Sequence, residues 1–326
     1  MPPGGAQCCK TAPQRRKNDL TLPATCPQNV RQSALRTASL FGRGHERHMR
    51  FDPPLTQQEV ENAFAGSFQQ IASIQVGGQG VVFKALTVTG AAAAAVALKI
   101  YHPDQLDERS AREVRALRAI QGETIVRLHE AGSRVIRGQK CPYVATSYVE
   151  GEVLSKVIER GPLGITHVAR VGHDIALAID LLWGPRIVHR DIKPSNIMMA
   201  VSGRAILIDL GLARHLSLTS LTTSGKTWGT EGYLSPEHAQ AVKQLSCKSD
   251  VFALGIVMQE CLLAHHPTNR RQAPLVDGGV STTNLRAGLP ENLVRLIDAM
   301  VSKRAFKRPS PSTIAQQLRP LLTSTS

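Results

Sequence analysis

Several kinds of site are missing from this chain of 326 residues. It has six cysteines, Cys8, Cys9, Cys26, Cys141, Cys247 and Cys261, but no Cys-x-x-Cys pair and no His/Cys ligand spacing. That argues against a zinc-binding or dithiol redox centre and points to reduced structural thiols in a cytoplasm. No apolar signal core follows the start, where Pro2, Pro3, Gly4 and Gly5 break any amphipathic targeting helix. The longest apolar run, residues 251–263, is thirteen residues long and contains Gln259 and Glu260. A bilayer needs about twenty apolar residues, so no membrane span is expected.

Acidic residues are also scarce. Lys and Arg total 39 against 25 Asp and Glu, for a net charge of +14. Residues 1–50 hold nine of the basic residues and only Asp19 and Glu46, which is half of the net charge. Residues 1–55 are also rich in Pro, Gln, Ser and Thr without an apolar period, so they read as a disordered basic tail. A polyanion or an acidic partner would suit such a tail. The remaining chain carries enough apolar residues for a sizeable core.

Along that remainder the pattern changes once. Thr56 and Glu59 form a capping-box pattern, predicting a short leading helix over 56–67 with Gly66 at its end. Alternating apolar residues on both sides of "VGGQG" predict a strand–turn–strand unit, and "VALKI" a third strand. Residues 107–120 have Val114, Leu117 and Ile120 at helical spacing, and two more strands follow in "IVRLHEAG" and "PYVATSYVEG". After Gly151 long helical periods dominate, interrupted by a loop-and-strand region over 187–208.

Chemistry-bearing residues fall in a fixed order along these elements. "IQVGGQGVVFKA" offers a glycine-rich turn with Gly77, Gly78 and Gly80, though Gln75 stands where a phosphate-binding loop has its first glycine. Lys99 ends a strand, and Glu113, fourteen residues on, is placed to orient it, with Glu108 as a weaker contender. "HRDIKPSNIMM" packs Asp191, Lys193 and Asn196 into one loop: a proton acceptor, a phosphate-holding cation and a metal-holding amide. Asp209 follows a short apolar strand, and with Asn196 it makes an oxygen-rich site suited to Mg²⁺.

Taken together, "VALK", "HRDIKPSN", "DLG", "GTEGYLSPE", "SDVFALG" and "KRPS" make the chain resemble the eukaryotic-type (Hanks-type) serine/threonine protein kinases, most of all the bacterial members. The resemblance runs over 68–322 and implies an α+β, two-lobed protein-kinase fold, with a small β-rich N-lobe (68–148) and a larger helical C-lobe (149–322). It implies that ATP lies under Ile74, Gln75, Gly77, Gly78 and Gly80, with Val82 and Ala97 covering the adenine. Lys99 would contact the phosphates and pair with Glu113. Thr146 takes the gatekeeper position, and Ser147 to Val149 the hinge. Asp191 would be the catalytic base, Lys193 and Thr230 its companions, and Asn196 and Asp209 the holders of Mg²⁺ or Mn²⁺. Glu237 is expected to pair with Arg308, and Asp250 to brace the backbone of His189 and Arg190.

The same resemblance implies protein substrates with Ser or Thr, since Lys193 follows Asp191 by two and Thr230 matches the threonine that bonds the catalytic pair. Thr222, Thr223 and Ser224 are candidate autophosphorylation sites, with Arg190 able to clamp a loop phosphate. A chain ending soon after the kinase region would take its signal through the tail or a partner. Two readings stand beside this one: a pseudokinase that binds nucleotide without transfer, supported by Gln75, and a small-molecule kinase, opposed by "GTEGYLSPE".

Overall fold

The computed structural model describes residues 51–77, 80–88, 93–103, 109–210, 214–215, 229–242 and 244–323. Gly78, Glu108, Thr222, Thr223, Ser224 and residues 1–50 of the tail lie outside them.

The first lobe is a five-stranded antiparallel sheet in the order β1-β2-β3-β5-β4. Its strands are β1 (Phe68–Gly77), β2 (Gly80–Thr87), β3 (Ala95–Tyr101), β4 (Leu128–Ile136) and β5 (Gln139–Ser147). Helix α1 (Gln57–Ala63) precedes it, and α2 (Arg109–Ala119) lies between β3 and β4. Thr56 caps α1 in a reciprocal box with Glu59. The helix ends at Phe64 rather than at Gly66, which instead takes a left-handed turn conformation (φ +80°) just beyond.

Strand alternation gives this sheet two different faces. One buries Val81, Phe83, Ala85, Val96, Leu98 and Ile100 in a core shared with α1. The other presents Val82, Ala97, Lys99 and Thr146, whose strands pair Val82 with Lys99 and Ala97 with Thr146.

Residues 51–55, expected to be tail, belong to the first core. Phe51 and Leu55 are buried in it. The Phe51 backbone N–H donates to His102 Nδ1 (3.1 Å), and Arg137 donates to the carbonyls of Pro53 and Pro54. Two apolar anchors and a guanidinium far along the chain hold a segment whose own composition suggested disorder.

The second lobe contains β6 (Gly151–Val153), α3 (Leu154–Glu159), α4 (Ile165–Trp183), β7 (Ile187–Val188), β8 (Ile197–Ala200), β9 (Ala205–Leu207), β10 (Arg214–His215), α5 (Pro236–Ala239), α6 (Cys247–Leu263), α7 (Thr282–Leu285), α8 (Glu291–Met300) and α9 (Pro311–Leu318). Helices α4 and α6 are its centre. The apolar run 251–263 falls in α6, nearly all of whose side chains are buried, so it is a core helix. No helix among the described residues is long and apolar enough to cross a membrane. The β6-β8-β9 sheet lies beside α4, and its β8–β9 hairpin is flanked by Asn196 and Asp209.

Candidate active site

Two groups of side chains stand out, and the first joins the lobes. From β3, the Lys99 ammonium reaches Asp209 Oδ1 at 3.2 Å and Glu113 Oε2 at 3.4 Å. One strand, one helix and the segment after β9 therefore converge on one cation. Burial works to depress the Lys99 pKa, but the two carboxylates outweigh it and hold the ammonium above its ordinary value. Burial pushes the Glu113 carboxyl up, against the pull of Lys99. The hydroxyl of the fully buried Tyr101 also donates to Glu113. No local motif singles out Tyr101. Its signal was alternation: two residues beyond Lys99 on one strand, it shares the same face.

The second group is built on the loop between β7 and β8, joined by Thr230 from the segment between β10 and α5. Thr230 donates its hydroxyl to Asp191 Oδ1 (2.6 Å), Lys193 Nζ lies 2.8 Å from Asp191 Oδ2, and Lys193 also donates to Thr230 Oγ1 (2.7 Å). The Asn196 amide nitrogen donates to the Asp191 carbonyl (2.8 Å) and to Oδ2 (3.1 Å). Asp191, Lys193, Asn196 and Thr230 thus form one closed network.

Its loop is held from beneath. The buried Asp250 accepts the backbone N–H groups of His189 (2.8 Å) and Arg190 (2.9 Å). Arg190 takes a left-handed conformation (φ +71°), which costs a non-glycine residue energy and needs such external support. Gly229 packs on the same loop: a Cβ there would lie 2.9 Å from the Arg190 carbonyl. Deeper in the lobe Arg308, almost fully buried, forms a two-pronged pair with Glu237 (2.6 and 2.9 Å). Burial raises the Glu237 carboxyl, but Arg308 overcomes it and holds the group below its ordinary value.

The donor set could hold a divalent ion. Asn196 donates through nitrogen, so its amide oxygen stays an acceptor, and the Asn196 carbonyl takes the Ile208 N–H (3.0 Å), placing Asp209 one residue from that link. Among the described residues no group of three His, Cys, Asp or Glu side chains could hold a metal. Magnesium is usually held by one or two protein oxygens together with substrate phosphates and water, which fits Asn196 and Asp209.

The nucleotide-facing residues are placed as follows. β1 and β2 form a hairpin with Gly77 opposite Gly80 and Gln75 opposite Val82. Ile74 is half exposed on β1. Gln75 is not among the residues with positive φ, so its backbone does not call for glycine. Gly80 also carries a packing constraint: a Cβ there would lie 2.0 Å from the Ile100 carbonyl, so close strand packing by itself requires glycine. Thr146 is buried at the end of β5. Ser147 spends its side chain on the Arg127 N–H (3.0 Å), and its own N–H donates to the Arg127 carbonyl (2.8 Å). Val149 lies just beyond, packed against the larger core.

The protein kinase domain pattern matches residues 68–318. The chain belongs to the protein kinase family. It is 31% identical over 285 residues to the serine/threonine-protein kinase AfsK of Streptomyces coelicolor, covering 82% of this chain and 33% of AfsK. It is 29% identical over 257 residues to the serine/threonine-protein kinase PknD of Mycobacterium tuberculosis, covering 75% of this chain and 37% of PknD. A probable serine/threonine-protein kinase of Thermomonospora curvata, PkwA, is 30% identical over 267 residues, covering 78% of this chain and 34% of its own. The chain spans about a third of the length of these curated relatives.

Proposed function

We propose that this chain is an ATP-dependent serine/threonine protein kinase, moving the γ-phosphate of Mg·ATP to Ser and Thr hydroxyls of proteins. The observation that carries the reading is the joining of the two lobes through Lys99 and Asp209, whose neighbour Ile208 bonds through its N–H to Asn196 of the Asp191–Lys193–Thr230–Asn196 network.

Phosphoryl transfer asks little covalent chemistry of a protein. It asks for in-line placement and for neutralisation of spread negative charge. Lys99, oriented by Glu113, supplies a fixed cation to the phosphates. Lys193 supplies a second one beside the acceptor. Asn196 and Asp209 would hold a divalent ion, which would supply further positive charge against that of the phosphates. Asp191 offers about four lone-pair sites. Thr230, Lys193 and Asn196 engage three of them, so Oδ1 keeps room to orient an incoming hydroxyl and take its proton.

The Lys193–Thr230 contact supports a Ser/Thr acceptor, as do the names of the relatives. Autophosphorylation at Thr222, Thr223 or Ser224 is part of the proposal and rests on the sequence. ATP as substrate and the buried free thiols of Cys141, Cys247 and Cys261 suit the cytoplasm.

Three peptides that differ only in a Ser, Thr or Tyr acceptor test the acceptor class. Transfer of label to Ser and Thr with none to Tyr is expected. Transfer to Tyr alone would contradict the reading.

A further inference from the structure

Tyr101 is a polar residue in an apolar position. It is fully buried, on the face of β3 that also carries Lys99. A buried hydroxyl needs a partner, and this one donates to Glu113. Glu113 is itself nearly fully buried, where a carboxylate is costly unless several donors hold it. Lys99 contacts the same oxygen, Oε2, at 3.4 Å while dividing its charge with Asp209. The Tyr101 ring also meets the cation, with the Lys99 Nζ over its face 4.9 Å from the ring centroid. One side chain therefore touches both members of the ion pair, through its hydroxyl and through its face.

The backbone under it is fixed as well. Tyr101 pairs with Gly80 in the β2–β3 register, and a Cβ at Gly80 would lie 2.9 Å from the Tyr101 Cα. The phosphate-side hairpin and the ion pair thus rest on the same residue.

We propose that Tyr101 is a positioning residue for phosphoryl transfer, its hydroxyl holding Glu113 and its ring holding Lys99 so that both stay aimed at the nucleotide phosphates. The proposal rests on the kinase reading above. It assigns Tyr101 no contact with substrate. Phenylalanine keeps the ring and loses the hydroxyl, while leucine loses both.

Kinetics of full-length Tyr101→Phe and Tyr101→Leu, varying ATP and acceptor peptide separately, test it. A charge-assisted hydrogen bond predicts a KM for ATP raised about fivefold or more in Tyr101→Phe, further in Tyr101→Leu, with the peptide KM unchanged. A residue that only supports folding would lower the active fraction and leave both KM values alone. Displacement of a fluorescent ATP analogue adds a second readout. Tyr101→Phe is expected to weaken nucleotide binding in wild type and to have no effect in a Lys99→Met background. Equal KM for ATP in wild type and Tyr101→Phe, or the same weakening with Lys99 absent, overturns the proposal.

Should Tyr101→Phe not fold, Glu113→Gln beside Glu113→Leu asks the same question. The amide oxygen still accepts the Tyr101 hydroxyl, so Glu113→Gln is expected to keep tighter ATP binding, and equal losses contradict the proposal. A wild type that binds the analogue but transfers no phosphate removes the kinase reading alone. The binding comparison still decides the role of Tyr101.

Discussion

The Thr230 hydroxyl donates to Asp191 Oδ1 at 2.6 Å, joining two residues 39 positions apart. Thr230 also accepts from Lys193, so it fixes the carboxylate and the cation relative to each other. Thr230→Ala should therefore lower kcat by about 10²-fold or more, the order of a displaced acid–base group. Thr230→Ser keeps the hydroxyl and should recover most of the rate. Steady-state kinetics on both variants check this. Equal loss in the two would mean that the methyl group, and not the hydroxyl, is what matters.

The glycine hairpin gives a paired prediction. A side chain at Gly80 collides with the Ile100 carbonyl, which belongs to backbone and cannot turn aside. Gly80→Ala should cost about 1–3 kcal/mol in thermal or urea unfolding and weaken ATP binding, as overpacking does elsewhere. Gln75 sits in an ordinary strand conformation. Restoring glycine with Gln75→Gly should leave KM for ATP within about twofold, since no strain is there to relieve. A large gain in ATP affinity would show that the missing glycine does limit binding, and would strengthen the pseudokinase reading.

The leading segment carries a pH-dependent latch. Arg137 donates to both oxygens of Glu59, and with the Thr56 N–H it holds that carboxyl down at about 2, against an ordinary 4.5. A depressed carboxyl stabilises the fold fully above its unfolded value and loses that contribution as pH falls toward the folded one. The latch is therefore intact at neutral pH and released between about pH 4.5 and 2. A carboxyl NMR titration should give the low value in wild type. In Arg137→Gln it should return toward the ordinary value, and a value still near 2 would contradict the pairing.

How far the sequence was legible differs from one residue to another. Asp191, Lys193 and Asn196 stand out as candidates because phosphoryl chemistry calls for those residue types and they lie in one short loop, whereas Thr230 comes only through the family resemblance. The brace from Asp250 to His189 and Arg190, and the Glu237–Arg308 pair, were readable only through the family resemblance. No local pattern announces contacts spanning 61 and 71 residues. Phe51 and Leu55 were misread because their neighbours are polar and Pro-rich. Their burial depends on Arg137 and His102, which no window around residue 51 contains. Tyr101 looked like an ordinary strand residue until its hydroxyl met Glu113 across the space between β3 and α2. Gly80 carries a second constraint that its glycine-rich turn does not announce: the strand beside it also demands glycine.

The central claim is phosphate transfer through Asp191 and Lys99. The most direct measurement is incorporation of labelled γ-phosphate from Mg·ATP into myelin basic protein and into the chain itself, comparing wild type with Asp191→Asn and Lys99→Met. Label is expected with wild type, and a loss of about 10²-fold or more in each variant, since each removes a group acting at the developing charge or the transferred proton. Folded, ATP-binding wild type that transfers nothing with Mg²⁺ or Mn²⁺, or variants as active as wild type, would contradict it.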